Sequence, residues 1–188
     1  MYEMRLKHAI LITIILFFAT LTVGWVGSNQ NPSMGENLMK LFEKEVAGQM
    51  TGDNPNDMAV KLFANNLEAC ILLFLGGASF GILTLFIMSL NGIVIGAILE
   101  LVHEQHSGVF VAAAILPHGI FEIPAFILAG ALGIMLSHSL VDEYYGKGDA
   151  AAEAQRLARN FVLMVIPLLA VAALVEAFIT PQVIQLVV

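Results

Sequence analysis

Two ionisable residues, His118 and Glu122, stand four positions apart in the apolar sequence LPHGIFEIPA (116–125). On a helix, positions i and i+4 share one face, so the imidazole and the carboxyl group would project together. Imidazole nitrogens and carboxylate oxygens are ligands of divalent metals such as zinc, and both groups also transfer protons. The pair therefore indicates a metal site, a proton or ion pathway, or a hydrogen-bond network that fixes helix register.

A third ionisable residue, Glu176, lies in the apolar sequence LVEAFITP (174–181). A charge at the centre of a membrane span costs roughly 2.5–3.5 kcal/mol if it faces lipid. Such groups are expected to face the protein interior, to pair with one another, or to be uncharged. We predict that Glu176 lies beside His118 and Glu122 in one pocket shielded from lipid. These three residues are the candidate ligands of a divalent metal.

Three more polar residues are placed where they can supply hydrogen bonds to this core. Asn65 and Glu68 fall on one stripe of a helix over 62–90, because their spacing follows the 3.6-residue period. Asn91 begins the sequence NGIVIG (91–96). We predict that all three belong to the buried polar core.

A second group of ionisable residues occurs in the sequence LELVHEQHSG (99–108). Glu100 still lies in an apolar segment and is expected to face protein, for the reason given for Glu176. His103, Glu104 and His106 follow it toward a turn. The three are expected to be solvated there, although such a group also has the residue types of a metal site.

The composition identifies the solvent around these residues. Apolar residues make up 59% of the 188 residues, charged residues make up 12%, and the mean hydropathy is +0.86. A soluble domain carries about 25% charged residues. No Lys or Arg falls between Lys61 and Lys147 or after Arg159, as a hydrocarbon solvent requires. The chain is therefore predicted to be an integral protein of the cell membrane, in contact with the lipid bilayer. The absence of a basic cluster argues against a nucleic-acid partner.

We predict an all-α integral membrane protein, a bundle of about five transmembrane segments with broken or re-entrant helices around 92–124. Asn91 and Gly92 form a turn signal, and the apolar run 93–102 after them is too short to cross a bilayer alone. It either extends through Glu104 as a tilted span or forms a re-entrant half-helix. The chain is predicted to be a single membrane domain (1–188) made of a first span (1–27), an extracytoplasmic amphipathic loop (28–61), a broken-helix core (62–140), a polar loop (141–159) and a last span (160–188).

Pro117 and Pro124 interrupt the apolar run 109–140, which is too long for one simple helix. One possibility is a helix that starts at Pro117 and kinks at Pro124, because proline cannot donate a backbone hydrogen bond. The other is a helix that starts at Pro124 and leaves the segment before it irregular, enclosed by protein or water. In the last span we expect a kink near Pro167 and an end near Pro181.

Basic residues set the expected orientation of the chain. Arg5 and Lys7 precede the first span, and Lys147, Arg156 and Arg159 precede the last one. With five spans these groups share one side, which the positive-inside rule assigns to the cytoplasm. The N-terminus is therefore predicted to be cytoplasmic.

The loop 28–61 would then face outward. An amphipathic helical period from Leu38 to Val46 runs through it. It predicts either a short helix that lies on the membrane or on its neighbours, or a docking surface for an extracytoplasmic partner.

Pairs of small residues four positions apart permit close helix crossings in a membrane, in a compact bundle and in a homo-oligomer alike. The sequence GASFG (77–81) also matches the G-x-S-x-G pattern of a serine nucleophile at Ser79, although that motif requires a strand–turn–helix setting. The small-residue pairs are Gly77 with Gly81, Gly92 with Gly96, and Ala129 with Gly133.

Five sequence blocks, in order along the chain, resemble the stage II sporulation protein M family. The similarity extends over about residues 60–181 and implies a small multi-spanning α-helical protein. In spore-forming bacteria the namesake looks like a scaffold in a membrane complex with peptidoglycan-degrading enzymes, which implies cell-envelope enzymes as extracytoplasmic partners. The family also occurs in archaea and in bacteria that form no spores, so sporulation is not carried over. The five blocks are FANNLEA (63–69), GxxxGILTL (77–85), NGIVIG (91–96), LPHGIFEIPA (116–125) and LVEAFITP (174–181).

The family resemblance implies that particular residues within the matching blocks are important for function. The resemblance assigns no catalytic residue and no cofactor. The residues that it carries over by motif are Pro117, His118, Gly119, Glu122, Pro124, Asn91, Glu176 and Pro181, and, less firmly, Asn65 and Asn66.

Three functions are compatible with this sequence. The leading hypothesis is a membrane scaffold or accessory subunit that self-associates and contains a buried polar core. An oligomeric ion or small-solute transporter or channel is the alternative, because buried carboxylates and broken helices form ion paths. An intramembrane hydrolase is the third, using either a metal or Ser79 with His118.

Overall fold

A computed structural model describes residues 6–45 and 54–187, with side chains described in these ranges except at 41–45. Helices dominate the described residues, which contain no strand, so the predicted all-α class is confirmed. Arg5 and Val46, on which the orientation and the amphipathic period partly relied, lie outside these ranges. The helices are α1 (Leu6–Gln30), α2 (Pro32–Glu45), α3 (Pro55–Leu75), α4 (Ile82–Gln105), α5 (Gly108–Tyr144), α6 (Ala150–Asn160), α7 (Ile166–Leu174) and α8 (Thr180–Gln185).

Five helical segments are long and apolar enough to cross a membrane, which confirms a multi-pass membrane protein with about five spans. Each has at least the 20 or so residues that a bilayer crossing requires. The last of these segments is one continuous helical stretch that contains α6, α7 and α8. The segments are Leu6–Gln30, Pro55–Ser79, Ile82–Gln105, Gly108–Tyr144 and Ala150–Gln185.

The turn between the second and third spans lies earlier than predicted. A short 3-10 helix, Gly76–Ser79, ends α3, and Phe80 and Gly81 adopt the left-handed conformation with φ of 54° and 84°. Gly81 has no Cβ and adopts this conformation without steric cost. The predicted helix over 62–90 is therefore wrong, because it contains this turn.

The predicted break at Asn91 and Gly92 does not occur, and neither does a re-entrant half-helix at 93–102. Helix α4 continues through both residues to Gln105. The Asn91 amide donates a hydrogen bond to the Ile87 carbonyl oxygen (2.9 Å), inside the same helix. Gly92 is buried against α1. The Asn-Gly pair thus serves helix packing here and makes no turn.

Helix α5 passes through both of its prolines without interruption. It starts at Gly108, where the Ser107 hydroxyl oxygen accepts a hydrogen bond from the Phe110 N–H (3.2 Å), and it ends at Tyr144. Neither predicted start, at Pro117 or at Pro124, is correct. Each proline removes one backbone hydrogen bond, a loss that membrane helices tolerate when neighbouring groups satisfy the freed carbonyl.

The last span contains two π-helical turns, each placed just before a proline. Phe161–Val165 precedes Pro167, and Val175–Ile179 precedes Pro181. The helix does not stop near Pro181 as predicted, because α8 continues to Gln185.

The predicted polar loop 141–159 is largely helical. Helix α5 ends at Tyr144, and α6 starts at Ala150, after a short turn. The Asp149 carboxylate oxygen caps α6 by accepting a hydrogen bond from the Ala152 N–H (2.9 Å). Local capping therefore extends the helices into a segment whose composition is that of a loop.

Helix α5 lies at the centre of the bundle and contacts α1, α3, α4, α6, α7 and α8. Alanine and glycine line much of its buried surface, including Ala125, Ala129 and Gly133. Small residues let helix backbones approach closely where lipid provides no hydrophobic driving force. Helix α2 folds back over the C-terminal halves of α1 and α4, where Gly35 meets Ser28 and Ala97.

Candidate functional site

The structure brings His118, Glu122 and Glu176 together. Each offers one ligand atom, and these three atoms all lie within 4.8 Å of one another. Helix α5 supplies His118 and Glu122 from successive turns, and the last span supplies Glu176. All three side chains are half-buried, so the group is accessible from a cavity as well as enclosed by helices.

A π-helical turn carries Glu176. In Val175–Ile179 the backbone N–H of Thr180 bonds to the Val175 carbonyl oxygen, five residues back. One extra residue per turn shifts the side chains that follow, and such turns are frequent at functional sites. Here the turn places Glu176 and Thr180 on the side that faces His118.

Thr180 orients the imidazole ring. Its Oγ1 lies 3.5 Å from His118 Nδ1 and 3.3 Å from the Val175 carbonyl oxygen. The hydroxyl donates to that carbonyl, so its oxygen is available to accept a hydrogen bond from Nδ1–H. In this arrangement the lone pair of His118 Nε2 remains free for a ligand, as in metal sites whose histidine donates its other N–H to a second residue.

The donor set matches the ligands of a divalent transition metal or zinc. One imidazole and two carboxylates resemble a three-residue zinc site that leaves further positions open. Ligand atoms lie about 2.0–2.2 Å from a bound zinc ion, so these three atoms would draw together by up to about 1 Å. Side-chain rotation about Glu122 and Glu176 suffices for such a change.

Two adjoining cavities border the site. The larger, of about 440 Å³, lies between α1, α3, α4 and α5, and the smaller, of about 260 Å³, reaches His118 and Glu176. Glu122 lines both cavities, and so does Asn66, whose side chain lies next to the Glu122 carboxyl group. The carboxyl group of Glu122 thus stands where the two spaces meet.

The other polar residues of the predicted core line the larger cavity. Asn65 and Glu68 lie there on α3 with exposed side chains, so the prediction that these two residues are buried is wrong. Asn91 lies there on α4 and is half-buried. With Glu122 of α5, three separate helices therefore contribute polar residues to the lining of the larger cavity. The predicted stripe on α3 faces this opening rather than a tightly packed helix.

The motif prolines and glycines have different positions. Pro117 is half-buried and Pro124 is exposed, and both lie in α5 on either side of the His118–Glu122 pair. Gly119 lines the smaller cavity, where a Cβ would approach Ile115 Cγ2 no closer than 3.6 Å. Packing in the described structure does not require glycine at this position.

Three other predicted motif residues lie apart from the two cavities. Gly77 packs against Gly133 of α5, and Gly81 forms the left-handed turn before α4. Pro181 lies at the start of α8, next to Thr180. These residues shape the helices and are not among the lining residues of either cavity.

Glu100 is fully enclosed elsewhere. Its side chain is 3% exposed, and its Oε1 accepts a hydrogen bond from Asn29 Nδ2 at 2.7 Å. His103 lies beside the Trp25 ring (centroids 5.5 Å apart), and His106 stacks on Phe110 (4.2 Å). Both histidines are exposed, as predicted.

The Ser79 hydroxyl group stabilises the turn between α3 and α4. Its hydroxyl donates to the Gly76 carbonyl oxygen (2.6 Å) and accepts from the Leu83 N–H (2.9 Å) across the turn into α4. In the part of the chain that the structure describes, no strand precedes it. The setting of a serine nucleophile elbow is therefore absent there.

Sequence reasoning did not predict the contacts of Asn66 and Thr180, nor that Cys70 lines the larger cavity. Cys70 is completely buried. Asn66 and Thr180 stand inside the blocks FANNLEA and LVEAFITP, so the motifs contained a signal for both. Their contacts depend on helix rotation and on the π-helical turn, which the sequence pattern did not reveal.

Comparison with known proteins agrees with these motifs. The chain matches the family model described as Stage II sporulation protein M over residues 13–181. It is 25% identical over 182 residues to the uncharacterized protein MJ0793 of Methanocaldococcus jannaschii, covering 95% of this chain and 97% of that protein. It is 27% identical over 186 residues to the uncharacterized protein MJ0706 of the same archaeon, covering 94% and 83%. No solved structure matches the chain. The chain therefore belongs to the stage II sporulation protein M family.

Proposed function

We propose that this protein is a membrane-embedded accessory protein that binds a divalent cation through His118, Glu122 and Glu176. The proximity of their three ligand atoms, within 4.8 Å, is the observation that carries the proposal. Bound there, the cation would join α5 to the last span, because two ligands come from α5 and one comes from the π-helical turn.

The electrostatics of the site favour a cation over a simple hydrogen-bond network. Two carboxyl groups this close repel each other when both are ionised, and low-dielectric surroundings strengthen the repulsion. Among the described residues that line the two cavities there is no Lys or Arg to compensate. A divalent ion supplies the missing positive charge and satisfies both carboxylates at once.

The accessory role comes from the family and from the outer elements of the fold. A cation that fixes α5 against the last span would also fix the bundle that α2 contacts. Helix α2 contacts α4 and α1, so it presents its outward face on a defined platform. Cell-envelope enzymes and further copies of the chain are the partners that such a scaffold would engage.

Metal analysis of purified protein tests the proposal. Protein stripped with a chelator and exposed to zinc, cobalt or manganese should retain about one ion per chain. The thermal midpoint should rise with metal concentration, by an amount equivalent to about 2.7 kcal/mol at a free-ion concentration of 100 times Kd. His118→Ala and Glu176→Gln should abolish both effects.

Two exposed residues near the end of α4 provide matched controls. His106→Ala and Glu104→Gln remove the same kinds of groups away from the cavities, and they should leave metal content unchanged. Wild-type protein that binds no divalent ion, or control variants that lose the ion as His118→Ala does, would contradict the proposal.

A further inference from the structure

The two cavities adjoin each other and share several lining residues. Glu122 and Asn66 line both of them, the smaller contains His118 and Glu176, and the larger continues between α3 and α4 to Asn91. Asn91 is the tenth of the 24 residues of α4. The space therefore extends from the candidate ion site toward the middle of a membrane-spanning helix.

The ionisable groups that line the larger cavity are all acidic. Two carboxyl groups, Glu68 and Glu122, and three side-chain amides, Asn65, Asn66 and Asn91, line the larger cavity. Its lining includes neither Lys nor Arg, as far as the described residues extend. Carboxylate and amide oxygens are ligands of hard cations, and a cleft of one charge with low-dielectric walls concentrates counter-ions.

Glu68 both lines the larger cavity and is exposed at the surface of the bundle. Its side chain is exposed on α3, thirteen residues after Pro55 and thus about 20 Å along the helix. Leu72, one turn further along, is also 46% exposed. A charged carboxylate at such a depth costs roughly 2.5–3.5 kcal/mol against lipid, so water or a cation has to meet it.

The size of the space suits a hydrated ion. A water molecule takes up about 30 Å³ in the liquid, so the larger cavity, of about 440 Å³, has room for an ion with its first shell of water. The smaller cavity offers less room and ends at the three candidate ligands. A cation that moves from one to the other would exchange water for carboxylate and imidazole ligands.

We propose that the larger cavity is the path by which a hydrated divalent cation reaches the three-ligand site, with Glu68 as the first carboxylate to receive it. Asn65 and Asn91 replace part of the ion's hydration, and Glu122 passes the ion from the larger cavity to the smaller one. This inference rests on the proposed cation site. It adds a path and a receiving residue outside the three-ligand set.

The rate of ion uptake tests the part assigned to Glu68. Metal-stripped protein in lipid nanodiscs is mixed with cobalt, and the absorption of bound cobalt is followed by stopped flow. Glu68→Gln should slow uptake roughly tenfold, while the amount bound at equilibrium stays the same. Glu104→Gln, which removes an exposed carboxyl group that lines neither cavity, should take up cobalt at the wild-type rate.

Failure of this path differs from failure of the ion site. Wild-type protein that binds cobalt, with Glu68→Gln taking it up at an unchanged rate, overturns the path and leaves the site intact. If the wild-type protein binds no cobalt, the proposed ion site is wrong. The proposed path is then tested separately, by whether its lining residues are exposed to water.

Thiol labelling measures that exposure without any metal. In a Cys70→Ala background, Asn91→Cys should react with a membrane-impermeant thiol reagent, whereas its exposed neighbour on α4, as Leu90→Cys, should not. Equal failure of both to react overturns a water-filled path. A disulfide between two copies carrying Glu68→Cys would also overturn it, because a second copy would then cover the opening.

Discussion

Helix α4 packs tightly against α1 on one side and borders a polar gap on the other. Toward α1, a Cβ at Gly96 would lie 2.8 Å from the carbonyl carbon of Leu21 and 2.9 Å from the nitrogen of Trp25. Toward α3, Asn91 and Ile95 line the larger cavity. One helix thus contributes its small residues to close packing and its polar residue to an opening.

The two sides of α4 reflect what a membrane allows. Lipid tails are as apolar as leucine, so helices associate through close van der Waals packing and hydrogen bonds rather than through hydrophobic burial. The glycine-lined contact between α4 and α1, which run in the same direction, supplies such close packing. The gap between α4 and α3 lacks close packing. We infer that the tight side holds the bundle together and that the open side serves binding.

The largest effect is expected from a methyl group on the tight side. Gly96→Ala should lower the free energy of unfolding by about 3 kcal/mol, because the new Cβ meets backbone atoms that cannot rotate away. Gly119→Ala, on the cavity side, should cause no loss, since its nearest neighbour would be 3.6 Å away. Unfolding of both variants in mixed micelles measures the difference.

Gly108→Ala provides the control for helix propensity, because no atom lies within 4 Å of its added Cβ. Equal losses in Gly96→Ala and Gly119→Ala would remove the contrast between the tight contact of α4 with α1 and the surface of α5 that lines the smaller cavity.

A smaller effect is expected where the tight side contains a polar pair. Asn29→Ala leaves the buried carboxyl group of Glu100 without its 2.7 Å hydrogen bond, and this should cost about 2 kcal/mol of unfolding free energy. The double variant Asn29→Leu with Glu100→Met should lose less than the single variant, because both partners are then apolar. A double variant that is less stable than Asn29→Ala would show that the two side chains stabilise the protein by more than the hydrogen bond between them.

The energetic cost of charge in lipid favoured an interior position for the site residues. Glu122 and Glu176 stand in apolar runs, so they were expected to face the protein interior, to pair with one another or to be uncharged. The structure places their ligand atoms, with that of His118, within 4.8 Å. Sequence reasoning could not supply the π-helical turn around Glu176 or the rotation of α3 that turns Asn66 toward Glu122, since both depend on tertiary packing.

The helix boundaries were harder to predict for a different reason. Asn91 and Gly92 are a turn signal in water, but within a span the asparagine amide bonds to its own helix and the glycine packs against α1. The true turn, around Gly81, lies inside an apolar run whose small residues also fit a helix crossing. Local sequence does not distinguish a glycine needed for conformation from one needed for close packing.

The smallest effect is expected at Thr180, which lies beside the three candidate ligands, and it should alter binding without altering stability. Thr180→Val keeps the shape of the side chain and removes the hydroxyl group that lies 3.5 Å from His118 Nδ1. Loss of such a supporting hydrogen bond lowers metal affinity by about tenfold or more. Metal-free Thr180→Val should unfold with the wild-type free energy to within about 0.5 kcal/mol, because the Val175 carbonyl oxygen keeps its backbone donor.

Thr22 offers the matched control for this change. Its hydroxyl donates to the Phe18 carbonyl oxygen (2.8 Å) on an exposed face of α1. Thr22→Val should therefore bind metal as the wild type does. If Thr180→Val binds metal with unchanged affinity, the imidazole is oriented by α5 alone. If its metal-free form is strongly destabilised, Thr180 also holds the last span in place, and its assignment to binding alone would be wrong.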